Sequence, residues 1–494
     1  MGELSSLSGV SFLFMGTLLG IVVGAIPGLT GAMLIALSLP FTFQLSGSHA
    51  LILLVSMYVG AVSGGMISAT VLRIPGTPAA MITTLDGYPM AISGRGKRAL
   101  SLGIWASFMG GMVSFLFLIC LAKPLAAAST HLGPFESFGL VLMALVLLAV
   151  VEGRQFSLGI LAGVMGMLCS IPGMSPATGE LRWTLGWAPM SDGFKLLPVL
   201  IGLFAINGVF RELFQRKGGA EVARLGDSGE GIHRRDFGQH GWNGLRSAVI
   251  GTGIGILPGI GANVGSAVAY GVAKRFARNP GEFGRGSEEG VIASESANNA
   301  TVGGALIPLI ALGIPGSVID AILLGALIIH GLQPGPLLFT HHPAIVHVVM
   351  VTYLLANGVM LGLMLIGARR MAALGEIPRW VLLPTILLFC VIGSYSLGHR
   401  IFDVWVMVGF GVLGWGMERL SIPLAPFVIG FVLAPLAEEN LSAGLMASGG
   451  SWAPLLTRPL SCLFILISLV GAGTALWKAR RRGTIKLGDP PAKE

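Results

Sequence analysis

Residues 24–32 read Gly24-Ala25-Ile26-Pro27-Gly28-Leu29-Thr30-Gly31-Ala32, and Gly255-Ile256-Leu257-Pro258-Gly259-Ile260-Gly261-Ala262-Asn263 echoes them at an offset of 231. Each Pro-Gly pair interrupts an apolar run. Proline removes an amide donor and clashes with the turn before it, and glycine lets the chain change direction. The pattern predicts that each run breaks into two half-helices. A second echo follows in the same order, Arg73-Ile74-Pro75-Gly76-Thr77-Pro78 against Gly313-Ile314-Pro315-Gly316-Ser317, at an offset of 240. Two Pro-Gly elements repeated in order point to an internal duplication.

Composition names the solvent. Of 494 residues, 53% are hydrophobic and 11% are charged, whereas soluble domains run near a quarter charged. So little charge cannot coat a water-soluble surface. Apolar stretches recur at 10–26, 49–72, 99–122, 135–151, 155–171, 193–212, 345–367, 380–393, 401–418, 422–436 and 459–477. A full span takes about 20 residues, so the shorter stretches read as tilted spans or half-helices. Amphipathic surface helices are nearly absent outside 213–243. Residues 1–10 lack a basic segment and a cleavage site, so the first apolar stretch is expected to stay in the mature chain.

Lys and Arg exceed Asp and Glu by 31 to 23, a net charge of +8. The basic residues sit in short loops, where they describe topology rather than nucleic-acid binding. Clusters at Arg95, Lys97 and Arg98, at Arg154, across 213–243, at Lys274, Arg275, Arg278 and Arg285, at Arg369, Arg370 and Arg379, at Arg419 and in the tail from Lys478 would all face the cytoplasm. Counting crossings between them gives an expected organisation. Residues 1–212 form a first membrane repeat with a periplasmic N-terminus, and 213–243 form a cytoplasmic linker. Residues 244–477 form a second, inverted repeat with an extra C-terminal span, and 478–494 form a basic cytoplasmic tail. The expected fold is an all-α polytopic membrane protein, an inverted-repeat plan of the secondary-transporter kind with broken or re-entrant helices.

Free amides at a half-helix N-terminus suit a carboxylate. That makes Gly28, Thr30, Gly31, Gly259, Gly261 and Asn263 at the broken runs, and Gly76, Thr77, Gly316 and Ser317 at the Ile-Pro-Gly turns, candidates for substrate or ion binding. Asn298 and Asn299 offer two carbonyls and two amides side by side, serving either a solute or a structural hydrogen-bond network. Arg73 either pairs with a substrate carboxylate or snorkels to an interface. Asp86, Glu295 and Asp320 are coupling candidates, with a helix cap as the simplest reading of Asp86 and a loop beginning at 281 as an alternative home for Glu295. Loop 174–183, ending in Trp183, reads as an external docking face. The His341-His342 pair reads as a surface feature. Cys120, Cys169, Cys390 and Cys462 lie far apart with no metal-ligand spacing, so no transition-metal site is expected. No Gly-Lys-Ser/Thr phosphate loop, His-Glu-x-x-His or Gly-x-Ser-x-Gly motif is present, and the chain does not read as an enzyme.

Several blocks in order resemble the large membrane subunit of tripartite tricarboxylate transporters, the TctA family, over nearly the whole chain. They are Pro27-Gly28-Leu29-Thr30-Gly31-Ala32, Ile74-Pro75-Gly76-Thr77-Pro78-Ala79-Ala80 running to Asp86-Gly87-Tyr88-Pro89, Leu257-Pro258-Gly259-Ile260-Gly261, Phe283-Gly284-x-Gly286, Glu295-x-Ala297-Asn298-Asn299-Ala300, Leu312-Gly313-Ile314-Pro315-Gly316-Ser317 and His330-Gly331-Leu332-Gln333-Pro334-Gly335-Pro336. The resemblance implies a bacterial inner-membrane permease working with a small TctB-like membrane subunit and a periplasmic TctC-like solute-binding protein. It also implies uptake of a di- or tricarboxylate driven by Na+ or H+, with no other cofactor. Where the family commonly has Asn before the first Ile-Pro-Gly, this chain has Arg73, and Ser294 and Ser296 replace residues usual around Glu295. A passive organic-anion channel and a membrane receptor or scaffold for a periplasmic binding protein are the alternative functions.

Overall fold

The computed structural model describes residues 2–26, 28–151, 156–214, 231–258, 261–372, 379–396 and 398–483. Their regular structure is helical apart from one two-stranded hairpin, and eight helices among them are long and apolar enough to cross a membrane. The chain is an all-α polytopic membrane protein. In chain order the principal helices are α1 (Leu7–Ala25), α2 (Gly31–Thr42), α3 (Gly47–Leu72), α4 (Thr84–Met90), α5 (Gly96–Ser129), α6 (Pro134–Val151), α7 (Phe156–Ser170), α8 (Leu196–Phe214), α9 (Arg234–Ile256), α10 (Gly261–Phe276), α11 (Glu288–Leu312), α12 (Val318–Ile329), α13 (Pro336–His341), α14 (Pro343–Ala372), α15 (Arg379–Ser396), α16 (Ile401–Arg419), α17 (Leu424–Ala447) and α18 (Pro459–Gly483). They fall into two compact bodies, Met1–Ser129 with Leu196–Trp415, and Thr130–Lys195 with Gly416–Glu494.

In the first body α1 ends where Ile26 turns to extended backbone at φ −86°, ψ 116°, and α2 starts under the cap of Thr30, whose Oγ1 accepts the Met33 amide at 3.2 Å. Gly16 abuts Leu53 and Ser56 of α3, and Gly24 abuts Ala61, so α1 runs parallel to α3. Gly31 meets Ala61 at the start of α2, which runs back to the start of α3. The result is a hairpin with both open ends at the head of α3 and its tip beside Ala61. Its arms are unequal, 19 and 12 residues. The first is long enough to span on its own, at about 28 Å.

The segment from Arg234 to Gly316 has the same order of elements. At the end of α9 Leu257 is extended at φ −79°, ψ 120°; Gly255 abuts Thr301, and Ser266 Oγ donates to Ser294 O at 3.1 Å. So α9 runs parallel and α10 antiparallel to α11. Both long helices then end on a left-handed residue, Arg73 at φ 55° and Gly313 at φ 70°. Gly76 packs on the Gly24 carbonyl, and Gly316 on that of Gly255. Both echoes of the sequence thus fall at the ends of helices that occupy corresponding places in the two segments. Close approach at glycine is how helices pack where lipid removes the hydrophobic drive.

The two segments cross. Ser63 Oγ on α3 donates to Asn299 Oδ1 on α11 at 2.7 Å, Tyr58 lies 3.3 Å from Ser317 Oγ beyond the end of α11, and Thr83 beyond the end of α3 donates to Glu295. This order makes α3 and α11 antiparallel. In addition α5 lies along α11, and α14 along α3.

Hydropathy concealed α11. The residues before Ile314-Pro315-Gly316 read as a polar insertion followed by an apolar run; they form one 25-residue helix, about 38 Å long. Glu295 belongs to that helix rather than to a loop beginning at 281, because Ser287 caps it at Gly290 N.

The second body is built on α6, α7, α17 and α18. Gly166 meets the Phe427 carbonyl and Gly430 meets Gly163, so α7 and α17 touch through small residues. The strands β1 (Gly173–Met174) and β2 (Leu181–Arg182) form the 174–183 loop, held by Glu438, which accepts from Ser175 at 2.7 Å and Arg182 at 2.9 Å. Arg458 meets Glu136 at 3.2 Å.

Candidate functional site

Residues 294–299 are polar apart from Ala297, and all six are buried at the crossing of α11 with α3. Glu295 accepts from Thr83 and, at 3.4 Å, from Ser107. Asn299 is held on three sides. Its Oδ1 accepts from Ser63, its Nδ2 donates to Glu295 O at 3.4 Å, and its backbone carbonyl accepts from Tyr353, which also meets Ser114 at 2.8 Å. Asn298 differs: neither its Oδ1 nor its Nδ2 makes a hydrogen bond of ordinary geometry, and the Glu295 carboxyl is the polar group that acts on it. An amide satisfied so poorly is expensive in an apolar interior, which makes it the feature most in need of a ligand. Thr77 Oγ1, at the Ile-Pro-Gly turn that follows α3, is likewise buried and unpaired.

The second turn differs in its cap. Ser317 caps α12, accepting the Asp320 amide at 3.3 Å. Asp320 is fully buried. Tyr58, which the sequence reading passed over, supplies the hydroxyl beside Ser317. Its signal was available in the repeat: at an offset of 240 Tyr58 stands in α3 where Asn298 stands in α11.

The remaining residues have other roles. Asp86 is fully buried; its Oδ1 accepts the backbone amides of Gly284 at 2.8 Å, Gly286 at 2.9 Å and Ser287 at 2.8 Å, and its Oδ2 accepts from Tyr270 at 2.8 Å. Those four donors fill a carboxylate's acceptor capacity. They also account for the Phe283-Gly284-x-Gly286 block, since Gly284 at φ 86° and Gly286 at φ 107° aim their amides at one oxygen. Arg73 is exposed, with its guanidinium 5.6 Å from the Tyr88 ring centroid. Gly28 has φ 93° and its carbonyl accepts from Arg211 at 2.8 Å. Gly31 lies against Ile319 of α12. Gly261 has φ 71°, and Asn263 is exposed in the first turn of α10. Gly259 lies outside the described residues, as do Pro27 and most of the 213–243 linker.

At the head of α11 Arg98 forks to Asp236 at 2.6 Å and to Glu288 at 2.8 Å, tying the start of α5 to those of α9 and α11. The guanidinium holds the Asp236 carboxyl down at about 2. Among the described residues no cluster of three or more His, Cys, Asp or Glu side chains suits a metal.

The sequence profile of the tripartite tricarboxylate transporter TctA family matches residues 10–429. The chain is 34% identical over 467 residues, 94% of its own length and 92% of the relative's, to an uncharacterized 52.8 kDa protein in the TAR-I ttuC' 3'region of Agrobacterium vitis. It is 38% identical over 222 residues to an uncharacterized protein in the TAR-II ttuC' 3'region of the same organism, covering 44% of this chain and 91% of that one. No solved structure matches it significantly.

Proposed function

The chain belongs to the tripartite tricarboxylate transporter TctA family as a large permease subunit, and from that premise we propose that it imports a small di- or tricarboxylate by cation-gradient-driven alternating access. It is a transporter component rather than an enzyme. In this reading the chain sits in the bacterial inner membrane, a TctB-like subunit accompanies it, and a TctC-like periplasmic protein delivers the solute. The antiparallel crossing of α3 and α11, each preceded by a hairpin, supports inverted repeats whose hairpins are re-entrant. Two such copies have pseudo-symmetric states that open to opposite sides.

The observation that carries the proposal is Asn298, whose two polar side-chain atoms are buried beside Glu295 with no hydrogen bond of ordinary geometry. An amide so placed donates to a carboxylate when the solute arrives, with Thr77 and the backbone around Gly76 on the neighbouring turn. Binding of Na+ or H+ lowers the cost of bringing the anion into a low dielectric.

The test is uptake into proteoliposomes that contain this chain and its small membrane partner, with the binding protein outside and a panel of labelled carboxylates. Losing a hydrogen bond to a charged group costs about 1.5–3 kcal/mol. Asn298→Ala should therefore slow uptake by about tenfold or more while the purified protein keeps its melting temperature. Full uptake by the Asn298→Ala, Asn299→Ala double variant would overturn the assignment.

A further inference from the structure

The duplication supplies a control for every buried polar group, because one backbone has to be satisfied twice. Asp320 stands out against it. At an offset of 240 its place in the first copy is taken by Ala80, and both positions are fully buried. The fold is therefore built without a carboxylate at that point. Neither carboxylate oxygen of Asp320 makes a hydrogen bond of ordinary geometry, and the hydroxyls of Ser317 and Tyr58 together with the Ser317 backbone amide are the polar groups that act on it.

No cation faces it. Among the described residues α12 packs on α2, α3, α11 and the 196–201 stretch of α8. Neither α2 nor 196–201 has an ionisable side chain. Besides Tyr58, α3 has His49 at its head, held by Ser8 and Ser46. In α11, Glu288 is held by Arg98, Glu289 stands beside it at the head of the helix, and Glu295 is bonded to Thr83 and Ser107. Farther along α8, Arg211 bonds the Gly28 carbonyl and Glu212 lies against Gly28. His330, at the other end of α12, bonds Thr42. A carboxylate without a counter-charge in such surroundings persists only when neutralised.

We propose that Asp320, with the hydroxyls of Tyr58 and Ser317, is the site of the coupling cation, a proton or a sodium ion, separate from the Asn298 site that takes the solute. The inference rests on the cation-driven reading above. Neutralising Asp320 lets the first turn of α12 stay buried. Ile319 in that turn lies against Gly31, so the same event reaches the tip of the first hairpin.

The full complex in proteoliposomes tests this by comparing accumulation under imposed Na+ and pH gradients with solute counterflow, which needs no net cation movement. Asn mimics the neutral carboxyl. Asp320→Asn should hold accumulation at the equilibrium ratio under both gradients while counterflow continues, and whichever gradient drives the unaltered protein identifies the cation. Gradient-driven accumulation by Asp320→Asn at the unaltered level overturns the site. If that variant is inactive in both assays, Tyr58→Phe decides. For Na+ it should raise the half-maximal concentration by about fivefold, and for a proton lower it by about as much because the lost hydroxyl donates to the ionised carboxylate, one hydrogen bond being worth roughly 1 kcal/mol; an unchanged value overturns the site. Should the unaltered protein respond to neither gradient, the cation-driven reading itself fails, and no variant is needed to show it.

Discussion

The hairpin and long helix that begin at Leu7 have the same order and packing as those that begin at Arg234, yet their interiors hold different chemistry. At equivalent positions Val55 faces Glu295, Tyr58 faces Asn298, Ala80 faces Asp320, and Asp86 faces Ala326. The residues that agree, Gly24 with Gly255 and Gly76 with Gly316, are those at which one backbone touches another. Agreement between the copies therefore marks what the architecture needs, and disagreement marks what only one copy does.

The largest test of this division is Asp86, a first-copy residue whose four partners all belong to the second. Asp86→Ala orphans two buried amides, a partly buried third and a tyrosine hydroxyl, each buried group worth about 1–3 kcal/mol. We expect it to prevent recovery of folded protein by size exclusion in detergent. A variant that melts normally would show that the copies do not depend on this clamp. Next come the paired glycines. A methyl group at Gly76 runs into the Gly24 carbonyl, whereas at Gly316 its nearest neighbours are Ala305 Cβ at 3.0 Å and the Gly255 carbonyl at 3.2 Å. Gly76→Ala should cost about 2 kcal/mol and Gly316→Ala under about 1 kcal/mol in denaturant titrations; equal costs would break the claim that the first turn is the tighter.

Acid gives a smaller effect. Arg98 lowers the Asp236 carboxyl below its unfolded value near 4, so the stability it contributes is complete above about pH 4 and lost as pH falls toward 2. Between those limits the unaltered protein should lose about 1 kcal/mol more than Arg98→Ala, with no difference between pH 5 and 8. Thermal melts across that range check it. Smallest is Arg73→Gly, which relieves a left-handed backbone and forfeits the Tyr88 contact. A net gain of about 0.5 kcal/mol is expected, and a loss would give the ring contact the larger share.

The sequence showed the breaks at Pro27-Gly28 and Pro258-Gly259, because proline and glycine act locally, and the pairing of the two turns, because their order repeats. It concealed the length of the hairpin arms, which depends on packing against α3 and α11. It concealed α11 for a related reason: a helix buried on all sides need not be apolar, so hydropathy does not count it. Asn298 and Asn299 stood out as a pair, but the difference between them depends on Ser63 and Tyr353, far away in sequence. Asp86 was named for its charge and as a helix cap; that its donors come from the turn ahead of α11 was beyond any local reading.

That clamp also sets a timetable for synthesis. The amides that bond Asp86 lie 198 to 201 residues downstream, roughly 10–40 s of translation at about 5–20 residues per second. Until then a carboxylate meant for burial has none of its amide donors, and the segment that holds it cannot settle. The first copy must wait, incomplete, for the head of α11 to leave the ribosome, so its assembly is completed by the second copy rather than before it.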